Sequence, residues 1–542
     1  MTVIVNPTVA AAIAGLSCSS SRSDCLIQFV IAAAVADSDD RSKTRRVHRT
    51  LGDVLPGHMF VLCEASEWFQ AQVSLLPVDK VFRVRLDSEA DEQAARAAIS
   101  FCYTGQVSVN HVHHVMQMRR IAGTLRIAGC VDACDAWLLA RLRQPKVHAA
   151  WAAAEAVAVD GVFFRDLPFH EALLQSAAIT VIRFFSFRDL PGPGDVKFVT
   201  VQAAAREALL REFGDVPVVL NSRILRMVMP ALSPLAMHML LGSDALRTDS
   251  EDSVLMMLVF WLKVNEGACQ PDTRHRLCRL IRLVQLRHVY LDLVLPALAA
   301  EYERSGTGFA IDDANVAYIS KLAKLARRDD ELARRDDELA RRDDELARRD
   351  DELARQSLRG SVVCPWYSFA PRSAAPCVSY VSEVPHEWTI SEEELRRAVD
   401  AAGRNVDAVA FARAAFRTGF GDGIVAQGVK WVLSVGIRHG APTAALYMTP
   451  CLDLPGPATT LPDSIIQAVI VSVLQKKGCT HDLESLHELV FHPIAFETVL
   501  FTLNAPTGHR DALLLQGEGD EDDLARWRPY LIDGKITGSI ML

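Results

Sequence analysis

The first third of the chain is governed by the sequence Ala97-Ala98-Ile99-Ser100-Phe101-Cys102-Tyr103-Thr104-Gly105. From residue 94 onward its apolar residues recur with the spacing of one helix face. Gly105 stands just past the last of them, where glycine commonly ends a helix in the left-handed conformation. The stretch therefore predicts a helix over residues 94–101 that Tyr103-Thr104-Gly105 closes.

The sequence on either side of this helix predicts a small α/β module. Residues 26–31 are apolar and rich in β-branched and aromatic side chains, which is typical of a buried strand. Residues 81–86 alternate apolar and polar side chains and predict a half-buried strand. Between them, residues 58–69 follow the turn signal Pro56-Gly57 and predict an exposed helix and turn.

These stretches, in this order, resemble a BTB/POZ domain, an α/β fold, over residues 23–142. The family pattern is an acidic residue before the first strand, a His-to-Ser-x-x-Phe turn and a Phe-x-Tyr-Thr-Gly motif. The matching residues are Asp24, His58, Ser66, Phe69, Phe101, Tyr103, Thr104 and Gly105. The charged run 37–49 departs from the pattern, and we expect it to enlarge the first hairpin as a long loop.

The resemblance implies interaction rather than catalysis. BTB domains pair with themselves or with relatives, and many bind a cullin scaffold of a ubiquitin ligase. Cullin-binding members often carry an apolar-x-Glu motif ahead of the helix that leads into Phe-x-Tyr-Thr-Gly. The counterpart here is Ala90-Asp91-Glu92, so Ala90 and Glu92 form the candidate cullin contact, with alanine in place of a large apolar residue.

Length, composition and charge limit the classes of protein to consider. A chain of 542 residues, half of them hydrophobic, is expected to form about three domains. The net charge of -9 argues against general nucleic-acid binding, which needs a basic surface. Scattered cysteines without a Cys-x-x-Cys pair fit reduced thiols and a cytoplasmic protein, with the nucleus as a second location. No apolar run predicts a membrane span, and residues 1–22 are interpreted as a disordered leader.

Residues 41–49, Arg-Ser-Lys-Thr-Arg-Arg-Val-His-Arg, form a basic cluster. It can be interpreted as a nuclear-localisation segment. The alternative, which we favour, is a solvated loop between two strands.

Residues 147–300 are predicted to be almost entirely helical, with helices over 147–159, 172–187 and 203–213. Asp249 or Ser250 can cap a helix that continues to Trp261, and its acidic first turn suits the helix dipole. A further helix is expected over residues 276–286. The segment resembles a BACK domain, the all-α module that often follows BTB and spaces it from a C-terminal recognition domain. The resemblance rests on residues 240–246, Ser250-Glu251, Val254-Leu255, Trp261, Ile281-Arg282 and 290–296.

Residues 315–358 are predicted to form a charged heptad-repeat helix. Residues 325–352 are four copies of Leu-Ala-Arg-Arg-Asp-Asp-Glu, which place one leucine stripe beside alanines. Acid-then-base pairs four residues apart, such as Asp330 with Arg334, support a solvated single helix that acts as a spacer. A dimeric coiled coil is the alternative, although the alanines leave its seam thin.

Residues 359–384 are interpreted as a linker in which Trp366, Tyr367 and Phe369 can dock onto a neighbouring domain. Beyond it, residues 390–401 predict a helix with Ser391 as its N-cap. Short β-rich runs in residues 385–542 then predict a mostly-β sandwich, namely 429–437, 444–449, 465–474 and 496–503. The end of the chain, residues 527–537, resembles the closing strands of a MATH (TRAF-like) domain, which implies a sheet groove for peptide segments of client proteins.

The sequence offers no motif for catalysis, for a cofactor or for a metal. His487 and His492 are one residue too far apart for the helical zinc-protease motif. Cys130 and Cys134, with histidines at 111, 113 and 114, are interpreted as buried free thiols rather than a zinc site. Residues 419–423 are glycine-rich but lack the Lys-Ser/Thr of a phosphate-binding loop.

Together these expectations describe a multidomain, non-enzymatic adaptor that recruits substrates to a cullin-RING ubiquitin ligase. It is expected to pair with itself or with another BTB protein, to bind a cullin scaffold and to capture client proteins through the C-terminal domain. The alternatives are a dimeric BTB scaffold without a ligase role and a nuclear regulator that uses residues 41–49.

Overall fold

The computed structural model divides the chain into two compact units, Met1–Lys146 with Asp166–Ala208, and Val147–Arg165 with Leu209–Leu542. The structure describes residues 7–16, 20, 23–36, 44–75, 79–144, 177–192, 194–334, 364–368, 372, 386–416, 423–452, 464–476, 489–502, 506–515 and 524–541.

A three-stranded sheet in the order β2-β1-β3 organises the first unit. Strand β1 (Cys25–Ala36) pairs antiparallel with β2 (Thr44–Gly57) and parallel with β3 (Val81–Leu86). The predicted strands at 26–31 and 81–86 are confirmed. The interpretation of residues 37–49 as a loop is wrong from Thr44 onward, because residues 44–49 pair with the continuation of β1. That continuation is a run of small apolar residues that prolongs the strand, so backbone pairing extends into the charged segment.

Helices cover this sheet. The connection from β2 to β3 holds α2 (Met59–Ala65) and α3 (Glu67–Gln72), and β3 leads to α4 (Glu92–Thr104), α5 (Val112–Thr124) and α6 (Cys130–Leu142). Gly105 ends α4 with φ 64°, as its position in the sequence predicts. A later helix, α7 (Ala177–Phe185), packs against α5 and α6. The predicted helix at 147–159 lies outside the described residues.

The leader prediction is wrong for its central part. Residues 7–15 form a helix, α1 (Pro7–Gly15), which lies against α4. The helix is rich in alanine, the residue with the highest intrinsic helix propensity. Packing against α4 supplies the stability that so short a helix lacks alone.

The chain passes into the second unit through α8 (Val199–Phe213) and continues as a helical segment. Its members are α9 (Val216–Asn221), α10 (Arg223–Val228), α11 (Pro234–Leu241), α12 (Glu251–Val264), α13 (Pro271–Cys278), α14 (Leu295–Ser305) and α15 (Asp313–Arg334). The predicted helix over 276–286 is wrong, because α13 ends at Cys278 and residues 283–285 form only a 3-10 turn. The Glu251 carboxylate accepts the Arg282 N–H at 2.8 Å, so side-chain bonding replaces helical bonding there.

The predicted heptad helix begins as α15, but its start is not solvated. Val316, Ile319, Leu322 and Ala323 are buried in the second unit. Residues 335–358, which hold most of the repeats, lie outside the described residues. The choice between a single helix and a coiled coil therefore stays a prediction.

The C-terminal part of the second unit is mostly β, as the sequence predicts. One sheet has the strand order β11-β10-β13-β4-β6 and the other β12-β9-β8-β5, with β7 also paired to β8. The strands are β4 (His386–Ser391), β5 (Ala410–Arg413), β6 (Ala415–Phe416), β7 (Gly423–Ala426), β8 (Val429–Ile437), β9 (Thr443–Cys451), β10 (Ser464–Lys476), β11 (Leu489–Thr502), β12 (Thr507–Leu514) and β13 (Lys535–Met541).

Both sheets contribute to one apolar core, which contains Trp388 of β4 and Trp431 of β8. The two sheets and this shared core form the sandwich of the second unit. Helix α16 (Glu392–Arg404) adds Leu395 and Val399 to that core. Ser391 caps α16 by accepting the Glu394 N–H at 3.2 Å, which confirms the predicted cap. Ile390 was placed in this helix by the sequence but belongs to β4, because its backbone pairs with Ile536.

Among the described residues, no single helix is long and apolar enough to cross a membrane. One sharply bent pair, Ile224–Ala231 with Pro234–Leu241, meets the length and composition criteria only when the two are taken together.

Candidate functional site

The residues that carry the BTB resemblance form two local networks in the first unit, and the first of these lies at the junction of β1, α2 and α4. Asp24 accepts the Met59 N–H at 2.7 Å, which ties the start of β1 to the start of α2. The His58 N–H donates to the Tyr103 hydroxyl at 2.9 Å, and the two rings meet edge to face with centroids 5.8 Å apart. Three separated motifs therefore meet at one point of the fold.

Ser66 forms the second of these networks. It separates α2 from α3, and its hydroxyl accepts the Phe69 N–H at 3.2 Å and donates to the Leu125 carbonyl at 2.5 Å. The Phe69 ring is fully buried and packs edge to face on Phe82 of β3, with centroids 4.9 Å apart. A serine at this position thus fixes two helix ends with one hydroxyl.

The remaining motif residues complete the end of α4. Phe101 and Tyr103 are buried, while the Thr104 hydroxyl donates to the Ser100 carbonyl at 3.0 Å. Gly105 follows in the left-handed conformation. Asp24, His58 and Tyr103 thus meet at one junction, whereas Ser66 and Phe69 bond and pack at a second place in the same unit. The described contacts of these residues stabilise the fold of the first unit.

The candidate cullin contact stands apart from these networks. Ala90 is exposed in a short turn that precedes α4. Glu92 is half-buried and forms an ion pair with Arg96, 2.8 Å away on the next helical turn. Its carboxylate is thus already engaged, and Ala90 offers only a methyl group to a partner.

The turn between β7 and β8 is bonded extensively by the helical segment. This turn consists of Gln427 and Gly428, with φ 50° and 73°. Positive φ at both central residues is the geometry of a type I′ hairpin turn, which glycine adopts at the second position without steric cost.

The helical segment bonds every backbone polar group of these two residues. The Gln427 N–H donates to the Asp249 carboxylate, and the Gln427 carbonyl accepts from the Arg287 guanidinium. The Gly428 N–H donates to the Ser253 hydroxyl at 2.8 Å, and the Gly428 carbonyl accepts from the Tyr290 hydroxyl.

A second set of hydrogen bonds joins the helical segment to β7 at Val425, two residues before the turn. The Asn221 side-chain amide donates to the Val425 carbonyl at 2.7 Å and its oxygen accepts the Val425 N–H at 2.6 Å. Asn221 is buried, so both bonds are shielded from water. Val289 of the helical segment is part of the sandwich core. The helical segment and the sandwich are therefore directly joined, and the prediction that the heptad helix separates them is wrong.

Acidic residues in and just ahead of the first turn of α12 supply the negative charge of this junction. Asp252 is fully buried, and its carboxylate accepts hydrogen bonds from the Arg287 Nε–H at 2.5 Å and from the Arg287 backbone N–H at 3.0 Å. Desolvation raises the pKa of Asp252 to about 6, although the Arg287 charge opposes that rise. Burial likewise raises the pKa of Asp249 and of Tyr290. The positive end of the α12 dipole also favours these carboxylates.

Part of the predicted linker is built into the helical segment. Trp366 is buried and donates its indole N–H to the Cys278 carbonyl at 2.7 Å, and the Tyr367 hydroxyl donates to Asn315 at 3.4 Å. The predicted docking of these two aromatic residues is confirmed, while Phe369 lies outside the described residues.

Arg372 was missed by the sequence reasoning. Its guanidinium forms two 3.0 Å bonds with Glu251, and both side chains are 2% exposed. It also donates to the carbonyls of Leu241 and Leu280. No local sequence signal distinguishes this arginine from any other linker residue.

The described residues contain no group of three metal-ligating side chains. Cys130 and Cys134 are buried, and bonding to Cys134 together with burial raises the pKa of Cys130. Burial also raises the pKa of Cys25, Cys102 and Cys278 to about 12, so these thiols keep their protons at neutral pH. His492 lies in β11 rather than in a helix, whereas His487 and residues 419–422 lie outside the described residues.

Comparison with known proteins adds no family to this description. The chain matches no protein-family model, and it matches no curated protein.

Proposed function

We propose that this chain is a non-enzymatic adaptor of a cullin-RING ubiquitin ligase, with a BTB-like first unit and a client-binding, MATH-like sandwich in the second. The observation that supports the proposal is the meeting of Asp24, His58 and Tyr103, which come from three separated stretches of the family pattern, at one junction of the first unit. The mostly-β C-terminal part supports the recognition role.

The implied mechanism is proximity. A client held by the sandwich is brought to a ligase held by the first unit, and pairing of two adaptors raises the effective concentration of each partner. The direct docking of the sandwich onto the helical segment suits this role, because a rigid mount preserves orientation and loses less conformational entropy on binding than a flexible tether does.

One observation favours a second candidate, a dimeric BTB scaffold without a ligase role. The Glu92 carboxylate is paired with Arg96, and Ala90 presents no large apolar group. A cullin would have to gain its affinity from other residues of the first unit.

The test uses the full-length chain, mixed with a cullin N-terminal domain and analysed by size-exclusion chromatography with light scattering. The adaptor proposal expects a dimer that carries the cullin. Ala90→Asp should abolish cullin binding without changing the dimer. Ala128→Asp, the same change at another exposed alanine of the first unit, is the matched control and should bind normally. A dimer that ignores the cullin would overturn the ligase role and leave the scaffold.

A further inference from the structure

The N-terminal turn of α12 has the properties of a binding site for a β-turn. Within one helical turn it presents the Asp249 carboxylate and the Ser253 hydroxyl as acceptors for backbone N–H groups. Arg287 and Tyr290 present donors for backbone carbonyls on the other side. Along the chain, the two turn residues expose an N–H, a carbonyl, an N–H and a carbonyl. These groups meet an acceptor, a donor, an acceptor and a donor of the helical segment in that order.

The shape of the site admits only one kind of second residue. A Cβ atom on Gly428 would lie 2.6 Å from the Asp252 Cβ, 2.8 Å from the Tyr290 hydroxyl and 2.9 Å from its Cζ. The atoms nearest to that position belong to the Asp252 side chain and the Tyr290 ring, and both side chains are buried and bonded. The site therefore selects glycine by exclusion as well as by the positive φ of that residue.

Recognition of the first turn residue depends little on its side chain. The main-chain N–H and carbonyl of Gln427 are both bonded, and its amide oxygen adds one further bond from Arg287. The groups that fasten the turn are polar throughout. When such groups separate they are hydrated by water, which offsets part of the cost of opening. Contacts between domains of one chain are commonly polar in this way.

We infer that Asp249, Ser253, Arg287 and Tyr290 form a receptor for a two-residue Xaa-Gly turn, and that its occupation by Gln427-Gly428 is a latch. The latch holds the sandwich in one orientation on the helical segment together with the Asn221 bonds to Val425 and the packing of Val289, and the sandwich is free to move on the connecting chain once all three contacts separate. This inference concerns the second unit alone and stands whether or not a cullin or a client is bound.

Gly428→Ala in the full-length chain tests the latch by hydrogen exchange. The added methyl group should expel the turn, so that the amides of residues 425 and 427 exchange at least tenfold faster. Gly440→Ala is the matched control. Gly440 lies in another turn of the sandwich with φ 67°, but nothing stands within 4 Å of its Cβ position. The control thus carries the same backbone strain without touching the receptor, and it should leave the exchange of residues 425 and 427 unchanged.

Equal exchange in the Gly428→Ala and Gly440→Ala chains would overturn the latch. If Gly428→Ala does not fold, Asn221→Leu gives the decision, because it removes both bonds to Val425 without adding a group to the turn. Accelerated exchange at residues 425 and 427, with unchanged exchange in the first unit, supports the latch. Wild-type exchange at these residues in the Asn221→Leu chain refutes it.

Discussion

Replacement of Arg372 by methionine should loosen the helical segment strongly, although Arg372 lies in a stretch that reads as a linker. Methionine keeps most of the aliphatic volume but removes the positive charge. Glu251 is then left as a buried carboxylate, 2% exposed, that has lost both of its guanidinium bonds.

The expected loss follows from the contacts that remain. Removal of one partner from a buried ion pair typically costs about 3–5 kcal/mol. Glu251 retains the Arg282 N–H as a partner at 2.8 Å, which places the loss near the lower end, about 3 kcal/mol. Native-state hydrogen exchange of the α12 amides measures this quantity, and a loss of about 3 kcal/mol accelerates exchange by roughly a hundredfold.

Arg304→Met is the matched control for this experiment. Arg304 also pairs with a glutamate, Glu301, but its side chain is 69% exposed, so the change should cost below about 1 kcal/mol. In the double variant Glu251→Gln/Arg372→Met the unpaired charge is gone, and part of the loss should be regained. If Arg372→Met behaved like Arg304→Met, the buried pair would not stabilise α12 and the reasoning would be refuted.

Three further predictions concern other parts of the chain. Ser66→Ala removes a helix cap and leaves the buried Leu125 carbonyl without its donor, so urea denaturation should show a loss of about 2 kcal/mol in the first unit. Trp366→Phe removes the bond to the Cys278 carbonyl and should lower the melting temperature of the second unit by about 1–2 °C, since about 1 kcal/mol is lost from a unit of this size. The pKa of Asp252 is raised to about 6 on folding, so its protonation favours the folded chain as the pH falls from 7 through 6 towards 4. The Asp252→Asn variant has no carboxyl group to protonate at this position. The melting temperature of the wild type should therefore rise relative to that of the variant as the pH falls over this range, and parallel curves of melting temperature against pH would contradict the assignment.

The sequence predicts those features that depend on neighbouring residues. Periodicity located β3, a β-rich run between turn signals located β8, and cap chemistry located Ser391 and Gly105, because each signal lies within a few residues of its effect. Residues 44–49 show where this fails, since pairing with an apolar strand overrode a charged sequence whose own preference is a loop.

The junction in the second unit could not be predicted in this way. Gly428 precedes a predicted β-rich run, but Gln-Gly is not among the dipeptides that most strongly signal a two-residue hairpin turn. The partners of this turn at 249, 253, 287 and 290 also lie well over a hundred residues away in the chain. Serine and aspartate at a helix start also read simply as a cap, so their second role as acceptors for the turn leaves no separate trace in the sequence.

The direct docking changes what the heptad repeats can do for an adaptor. A spacer sets the distance between two modules only if those modules do not touch. Here Asn221 and Tyr290 bond the sandwich through Val425 and Gly428, and none of these four residues belongs to the repeats. The number of repeats can therefore change without altering the latched orientation of the sandwich. The repeats can set its reach only once the latch is open, so under the proposed adaptor role the latch, rather than the helix length, would determine where a client is presented.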